Sequence, residues 1–212
     1  LKRVSFANDA GRTEATAEFT PKGQLAEIRC FSRPLLAPHA NDAEWCAFNG
    51  KGPSNVTLYG SGERPRGLQS YEAGQLRKAE VLFPDGKLRE QHEYTERGEL
   101  RRVFFAGGVL HTESQLVKVT GSNGSESYPA QVKDFHESGK LVRERRWAAP
   151  TERGAVLALD QSWYMNGNPR EKQEFITANG RTEERSTRYH DNGQLAFEGT
   201  YVVSERKTRL AA

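Results

Sequence analysis

Two neighbouring stretches decide the fold predicted for this chain: Tyr71-Glu-Ala-Gly74-Gln-Leu76 and Phe83-Pro-Asp-Gly86-Lys-Leu88. Each stretch places an aromatic residue three positions before a glycine and a leucine two positions after it. The glycines Gly62, Gly74, Gly86 and Gly98 follow one another at intervals of twelve residues. Such self-similarity at a fixed period indicates a repeat architecture. Related stretches occur at Phe19–Leu25, Phe135–Leu141 and Tyr189–Leu195.

Each repeat has the properties of a β-hairpin. Asp85-Gly86 and Asn192-Gly193 are turn dipeptides, because tight hairpins need residues that tolerate positive φ. A period of twelve residues leaves about eight for a strand, which spans roughly 26 Å. In an antiparallel pair built this way, Leu82 is expected beside Leu88. The strands are therefore predicted to follow one another as a meander.

The strand centres decide how such a sheet can pack. Residues 89–93 are charged or polar throughout, so the sheet cannot be buried on both faces. The hydrophobic content of 35% and the mean hydropathy of −0.79 are too low for a thick core, but they suit a repeat whose units contact only their neighbours. We predict an all-β fold, an antiparallel meander of repeated β-hairpins in an elongated, curved and largely single-layer sheet.

The repeat is expected to continue through residues 1–212 as a single domain with three departures from the pattern. One is an insertion at about 30–60, in which 40–48 forms either a short helix capped by Asn41 or an irregular loop. The insertion contains Cys30 and Cys46, for which a disulfide is predicted, worth about 3 kcal/mol. Two reduced thiols and a zinc site with His39 are the alternatives. The other departures are longer hairpin loops at about 111–134 and 148–160.

The charge pattern and the motifs argue against several classes of function. The net charge is only +3, and Arg and Glu interleave, as in Arg143-Glu-Arg-Arg146, which is typical of a solvated sheet face with cross-strand ion pairs. Nucleic-acid binding is therefore not expected. The chain has neither a phosphate loop nor a nucleophile elbow, and its five histidines are dispersed. We expect no enzyme activity, no cofactor and no metal site.

The hydropathy pattern contains no apolar run of membrane-spanning length, so stable membrane insertion is not expected. No signal peptide is recognisable. The chain begins at Leu1, which is compatible with removal of a leader or with trimming. The predicted disulfide favours an oxidising compartment.

The repeat resembles the MORN-type variant found in bacterial proteins labelled YwqK-family antitoxins. The resemblance is carried by Tyr71–Leu76, Phe83–Leu88, Tyr164-Met-Asn-Gly167 and His190-Asp-Asn-Gly193-Gln-Leu195. It implies a β-hairpin array without catalysis that binds a protein partner, often a toxin. Similar proteins occur as immunity proteins beside secreted effectors, including type VI effectors of the lipase kind. The resemblance thus implies a periplasmic antitoxin, with the cytoplasm as the alternative compartment.

Aromatic residues and arginines usually dominate protein interfaces, and several of them lie near the long loops of the second half. The candidate partner-binding residues are Arg145, Arg146, Trp147, Trp163 and Tyr164.

Two other classes of function remain open. One is a scaffold or membrane-surface module. The other is a glycan- or wall-binding repeat that would expose aromatic residues at its turns, for which Tyr71, Phe83, Phe105 and Tyr164 are the candidates.

Overall fold

The structure is a computed structural model and describes residues 2–7, 13–30, 53–60, 64–121, 124–150, 154–178 and 181–203. All regular elements within these ranges are β-strands. The first seven are β1 (Lys2–Ala7), β2 (Thr13–Phe19), β3 (Leu25–Cys30), β4 (Ser54–Tyr59), β5 (Pro65–Glu72), β6 (Gln75–Leu82) and β7 (Leu88–Thr95). The other eight are β8 (Gly98–Phe104), β9 (Leu110–Gly121), β10 (Gly124–Phe135), β11 (Leu141–Trp147), β12 (Leu157–Trp163), β13 (Pro169–Ala178), β14 (Arg181–Tyr189) and β15 (Leu195–Val203).

The strands form two sheets in which spatial order equals chain order. Strands β1 to β3 make a three-stranded sheet, and β4 to β15 make a twelve-stranded one. The predicted all-β antiparallel meander is confirmed. The chain divides into two compact units, Leu1–Thr95 and Glu96–Ala212. The organisation of the chain as a single domain stays a prediction.

Six of the hairpin turns share one hydrogen-bonding pattern. In the turn that begins at Phe83, the Phe83 N–H donates to the Lys87 carbonyl over 2.8 Å, and the Gly86 N–H donates back to the Phe83 carbonyl over 2.9 Å. Gly86 has φ of +85°, in the left-handed region that glycine adopts at little cost. The sequence repeat therefore encodes this turn. The other five turns begin at Thr20, Phe105, His136, Tyr164 and His190.

A pair of residues, usually both apolar, closes each of these hairpins. Leu82 lies opposite Leu88, as the spacing predicts. Directly opposed residues of an antiparallel pair have their side chains on the same face, so the aromatic or leucine before the turn packs against the leucine after it. The register shifts by one residue at this point in every such hairpin. The equivalent pairs are Phe19 with Leu25, Phe104 with Leu110, Phe135 with Leu141, Trp163 with Pro169 and Tyr189 with Leu195.

The buried core among the described residues lies in the first unit. Ala17 and Ile28 of the small sheet are 0% and 2% exposed, and they belong to one cluster with Val56, Leu58 and Tyr71. The small sheet and strands β4 and β5 bury these side chains together, so this part of the chain has more than a single layer. Ala15 and Leu25 complete the cluster.

Several predictions concern the departures from the repeat. The segment 111–134 is not a longer loop but two twelve-residue strands, β9 and β10, because the backbones pair from Gly124 opposite Gly121 to Asp134 opposite Thr112. Strand β11 ends at Trp147 and β12 begins at Leu157, and the longer loop at about 148–160 stays a prediction.

The predicted helix over 40–48 and Cys46 lie outside the described residues. Cys30 ends strand β3 and packs against the core. The Cys30–Cys46 disulfide thus stays a prediction.

Candidate functional site

The strands of the second unit carry charged side chains in cross-strand rows on one face. Asp134, Arg143, Ser162 and Glu171 lie directly opposite one another on β10, β11, β12 and β13. Residues two positions apart on a strand share a face, so Arg145 belongs to this face as well. We call it the Arg143 face.

Ion pairs on the Arg143 face link neighbouring strands. Arg143 binds Asp160 through two parallel hydrogen bonds, with Nε 2.8 Å from Oδ1 and Nη2 2.5 Å from Oδ2. The hydrogen bond with Asp160 raises the pKa of Arg143, against the opposing effect of burial. Arg145 Nη2 lies 3.1 Å from Asp134 Oδ2. These contacts confirm the cross-strand ion pairs that the alternation of Arg and Glu predicts.

A groove of about 600 Å³ lies on this face where strands β11, β12 and β13 meet the turn at Tyr164. Arg143 and Asp160 contribute charged side chains to its lining, and Trp163 and Tyr164 contribute aromatic rings. The groove therefore offers flat apolar surface beside charged groups. Ligand-binding surfaces often combine these two features.

Tyr164 is held in place from two sides. Its hydroxyl donates a hydrogen bond of 2.9 Å to the Tyr189 carbonyl of the next hairpin. The guanidinium carbon of Arg170 lies 5.8 Å from the centre of its ring, a cation–π arrangement. The next turn is tied to the same place, because Asn168 Nδ2 donates to the Asp191 carbonyl over 2.8 Å. The aromatic wall of the groove thus has a fixed position.

The structure separates the predicted partner-binding residues into two sets. Trp163 and Tyr164 line the groove. Arg145 shares the face, where its guanidinium carbon lies 6.0 Å from the ring of Trp147. Arg146 lies on the opposite face, since it is the next residue along an extended strand. Contact of any of these residues with a partner stays a prediction.

On the opposite face, Arg146 forms an ion pair with the buried carboxylate of Glu144. Its Nε lies 2.7 Å from Glu144 Oε1, and Gln131 donates to the same carboxylate oxygen. Burial alone would raise the pKa of Glu144, but the hydrogen bonds from Arg146 and Gln131 outweigh it and lower the pKa. Glu144 is 7% exposed, so Arg146 has a structural role in this pair.

Sequence reasoning missed five charged residues of the groove: Asp134, Arg143, Asp160, Arg170 and Glu171. The period of two along a strand groups Arg143 with Arg145 and separates Arg145 from Arg146, and this signal was available in Arg143-Glu-Arg-Arg146. The signal for Asp160 was not available, because the register between β11 and β12 depends on a long connection.

The aromatic residues proposed for glycan contact do not form an exposed row. Tyr71 is only 3% exposed and belongs to the core of the first unit, because the end of the β4–β5 hairpin packs against β3. Its inclusion among the exposed turn aromatics was wrong. Phe83, Phe105 and Tyr164 are half-buried.

In the described part of the chain, no group of three or more His, Cys, Asp or Glu side chains is arranged to hold a metal ion. No helix of the described residues is long and apolar enough to cross a membrane.

Comparison with known proteins identifies the repeat. A family model described as a MORN repeat variant matches residues 185–202. The match covers the second half of β14, the turn at His190 and most of β15. The chain therefore contains a MORN-type repeat, built as an antiparallel β-hairpin. None of the curated proteins compared with the chain matches it.

Proposed function

We propose that this protein is a non-catalytic binding protein that neutralises a bacterial toxin or secreted effector by covering it. A repeated β-hairpin sheet with one groove-bearing face suits this role, because it supplies a fixed surface without mobile catalytic groups. The partner's active site, or its membrane-facing surface if it is a lipase-type effector, would lie against the Arg143 face.

The observation that carries the proposal is the groove on a MORN-type repeat sheet, with Trp163 and Tyr164 beside arginine side chains. Tryptophan, tyrosine and arginine are the residue types that most often dominate binding energy at protein interfaces. Tyr164 is positioned by its hydrogen bond to Tyr189 and by Arg170, so little side-chain entropy would be lost on binding.

The partner would be a cognate toxin or effector encoded by the same bacterium, and the compartment would be the periplasm, with the cytoplasm as the alternative. Thiol counting under denaturing, non-reducing conditions tests the compartment. Protein isolated from its native compartment should show no free thiol if Cys30 and Cys46 are bonded. Two free thiols would contradict the periplasmic assignment.

The central experiment is capture followed by inhibition. The immobilised chain is exposed to a lysate of the source bacterium, and retained proteins are identified by mass spectrometry. A retained protein is then purified, and its toxic or enzymatic activity is measured while the chain is added. We expect the activity to be lost at a molar ratio near one. Unchanged activity at saturating concentrations of the chain would overturn the proposal.

Two matched variants test which face binds. Trp163→Ala removes an aromatic wall of the groove, and we expect it to weaken partner binding by about tenfold or more. Arg146→Ala changes the opposite face, and we expect an affinity within about twofold of wild type. Thermal unfolding of both variants checks that the fold is intact. If Arg146→Ala weakened binding more than Trp163→Ala, the assignment of the binding face would be wrong.

A further inference from the structure

The carboxylates that line the groove are already paired with arginines of the Arg143 face. Asp160 binds Arg143, and Asp134 binds Arg145 at 3.1 Å. Glu171 accepts from Arg188 Nε at 3.0 Å. Each of these arginines thus has a carboxylate of the chain itself as its counter-ion.

Arg170 is the exception on the groove. Its guanidinium lies over the ring of Tyr164 at 5.8 Å, and no carboxylate among the described residues forms an ion pair with it. An arginine that stacks on an aromatic ring keeps the N–H groups along its edge available for hydrogen bonds. The groove therefore has one guanidinium that lies over an aromatic ring and has no anionic partner among the described residues.

The repeat offers an internal comparison for this arginine. Arg170 lies three residues after the turn glycine Gly167, and Arg89 lies three residues after Gly86. Arg89 Nη2 is 3.3 Å from Glu90 Oε1, so it has an ion-pair partner in its own strand. The residue after Arg170 is Glu171, which instead binds Arg188 of the next strand. The unpaired state of Arg170 is thus a local feature and does not follow from the repeat.

We propose that the groove binds an extended segment of the protein partner that carries a single carboxylate side chain, with this carboxylate on Arg170. A guanidinium edge matches a carboxylate by two parallel hydrogen bonds. This inference rests on the proposed function and adds the chemistry that the partner must present.

The groove also specifies what flanks the carboxylate. Trp163, Val142 and Met165 line it, and Met165 is 43% exposed. In an extended segment, residues two positions apart point to the same face. An apolar residue two positions from the acidic one would therefore cover these side chains and exclude water from the ion pair.

A phosphate group fits the groove less well than a carboxylate. Asp160 and Glu171 also line it, and a dianion would be repelled by them more strongly than a carboxylate would. Phosphate sites generally combine several unpaired cations, whereas this groove has a single one among its described residues. One unpaired guanidinium matches one negative charge.

Short synthetic peptides test the proposal without the natural partner. The probes are acetylated and amidated peptides with the order Leu-Ser-X-Ser-Leu, where X is glutamate, glutamine or phosphoserine. Binding to the whole chain is followed by NMR, using the Trp163 indole and the Arg170 guanidinium signals. We expect saturable binding of the glutamate peptide and affinity at least about tenfold lower for the glutamine peptide.

Two variants assign the effect to the arginine. Arg170→Ala should reduce the affinity for the glutamate peptide about tenfold, and Arg89→Ala should leave it within about twofold. The affinity of wild type should fall as salt is added, because the ion pair is at the surface. Unchanged thermal unfolding of both variants shows that the fold is retained.

Several results of the peptide experiments would contradict the proposal. Equal binding of the glutamate and glutamine peptides, no saturable binding, or an equal loss in both variants would overturn the proposal. Preference for phosphoserine, or Arg170-dependent recovery on vesicles of anionic phospholipid, would also overturn it.

The outcome is separable from that of the proposed function. A captured toxin that is inhibited equally by wild type and Arg170→Ala would remove this inference and leave the proposed function standing. Glutamate-specific peptide binding without any inhibited toxin would remove the proposed function and leave the carboxylate-binding role of Arg170 standing.

Discussion

The hydroxyl of Tyr71 donates a hydrogen bond of 3.1 Å to the carbonyl oxygen of Ile28. Tyr71 is on strand β5 and Ile28 is on strand β3, so the contact joins the two sheets within the first unit. Both residues belong to the buried cluster. The repeat places an aromatic residue at this position before the turn. Because the small sheet packs there, Tyr71 also forms part of the buried core and links the two sheets.

Removal of this hydroxyl should destabilise the first unit. Tyr71→Phe keeps the ring and leaves the Ile28 carbonyl without this donor, so we expect a loss of about 1 kcal/mol in the free energy of unfolding, measured with urea. Tyr71→Ala also creates a cavity and should cost about 3–5 kcal/mol. Tyr201→Phe is the control, since Tyr201 is 51% exposed and should change stability by less than about 0.5 kcal/mol. Equal effects of the two phenylalanine variants would contradict this account.

The same tyrosine should make stability depend on alkaline pH. Burial, together with the charges of Tyr94 and Glu27, raises the pKa of Tyr71 to about 12. An unfolded tyrosine ionises near pH 10, so the folded state holds the proton over the range between these values. The stabilisation is complete below about pH 10 and is lost as the pH rises toward 12. The stability difference between wild type and Tyr71→Phe should therefore shrink in this range, and a constant difference would show that Tyr71 is not the titrating group.

Two adjacent glycines test the turn geometry. Gly108 has φ of +85°, whereas Gly107 is outside the left-handed region, and an added Cβ would meet nothing within 4 Å at either position. Gly108→Ala should cost about 1–2 kcal/mol from backbone strain. Gly107→Ala should be neutral or stabilise by up to about 1 kcal/mol, because it restricts the unfolded chain. Thermal unfolding measures both, and equal effects would mean that φ is not the determinant.

The pair of Arg143 and Asp160 should show measurable coupling. The two residues form two parallel hydrogen bonds, and the Asp160 side chain is only 13% exposed. We therefore expect a coupling free energy of about 0.5–1 kcal/mol in a double-mutant cycle with alanine, near the upper end for partly exposed ion pairs. Lys172 and Glu174 provide the comparison, with a single contact of 2.8 Å and a carboxylate side chain that is 36% exposed. We expect less than about 0.3 kcal/mol there. Similar values for both cycles would indicate that bidentate geometry adds nothing.

The hairpins were predictable because their signals are local. A glycine in the left-handed region determines where the chain reverses, and the flanking apolar residues determine the register, as for Leu82 opposite Leu88. The same logic applies from Phe19 to Leu195, although the intervals between glycines vary. Local turn chemistry therefore accounts for most of the strand positions.

The candidate site was only partly predictable. Trp163 and Tyr164 were found because aromatic residues near a turn stand out in the sequence, whereas Arg146 was grouped with Arg145 although the two lie on opposite faces. Arg170 was not among the candidates from the sequence, because its role in the groove depends on which carboxylates the neighbouring side chains bind. Glu171 pairs with Arg188 across a strand boundary, and such a partner cannot be read from spacing along one strand.

The amino-acid sequence by itself determined the class of fold, since turn dipeptides, a strand-length period and polar strand centres act over a few residues and leave an antiparallel meander as the outcome. The tertiary structure alone decided that β1, β2 and β3 form a separate sheet, that Tyr71 is buried and that no carboxylate of the described residues pairs with Arg170. These features depend on contacts between strands distant in the chain, where burial and pairing are settled by competition among many neighbours rather than by local preference.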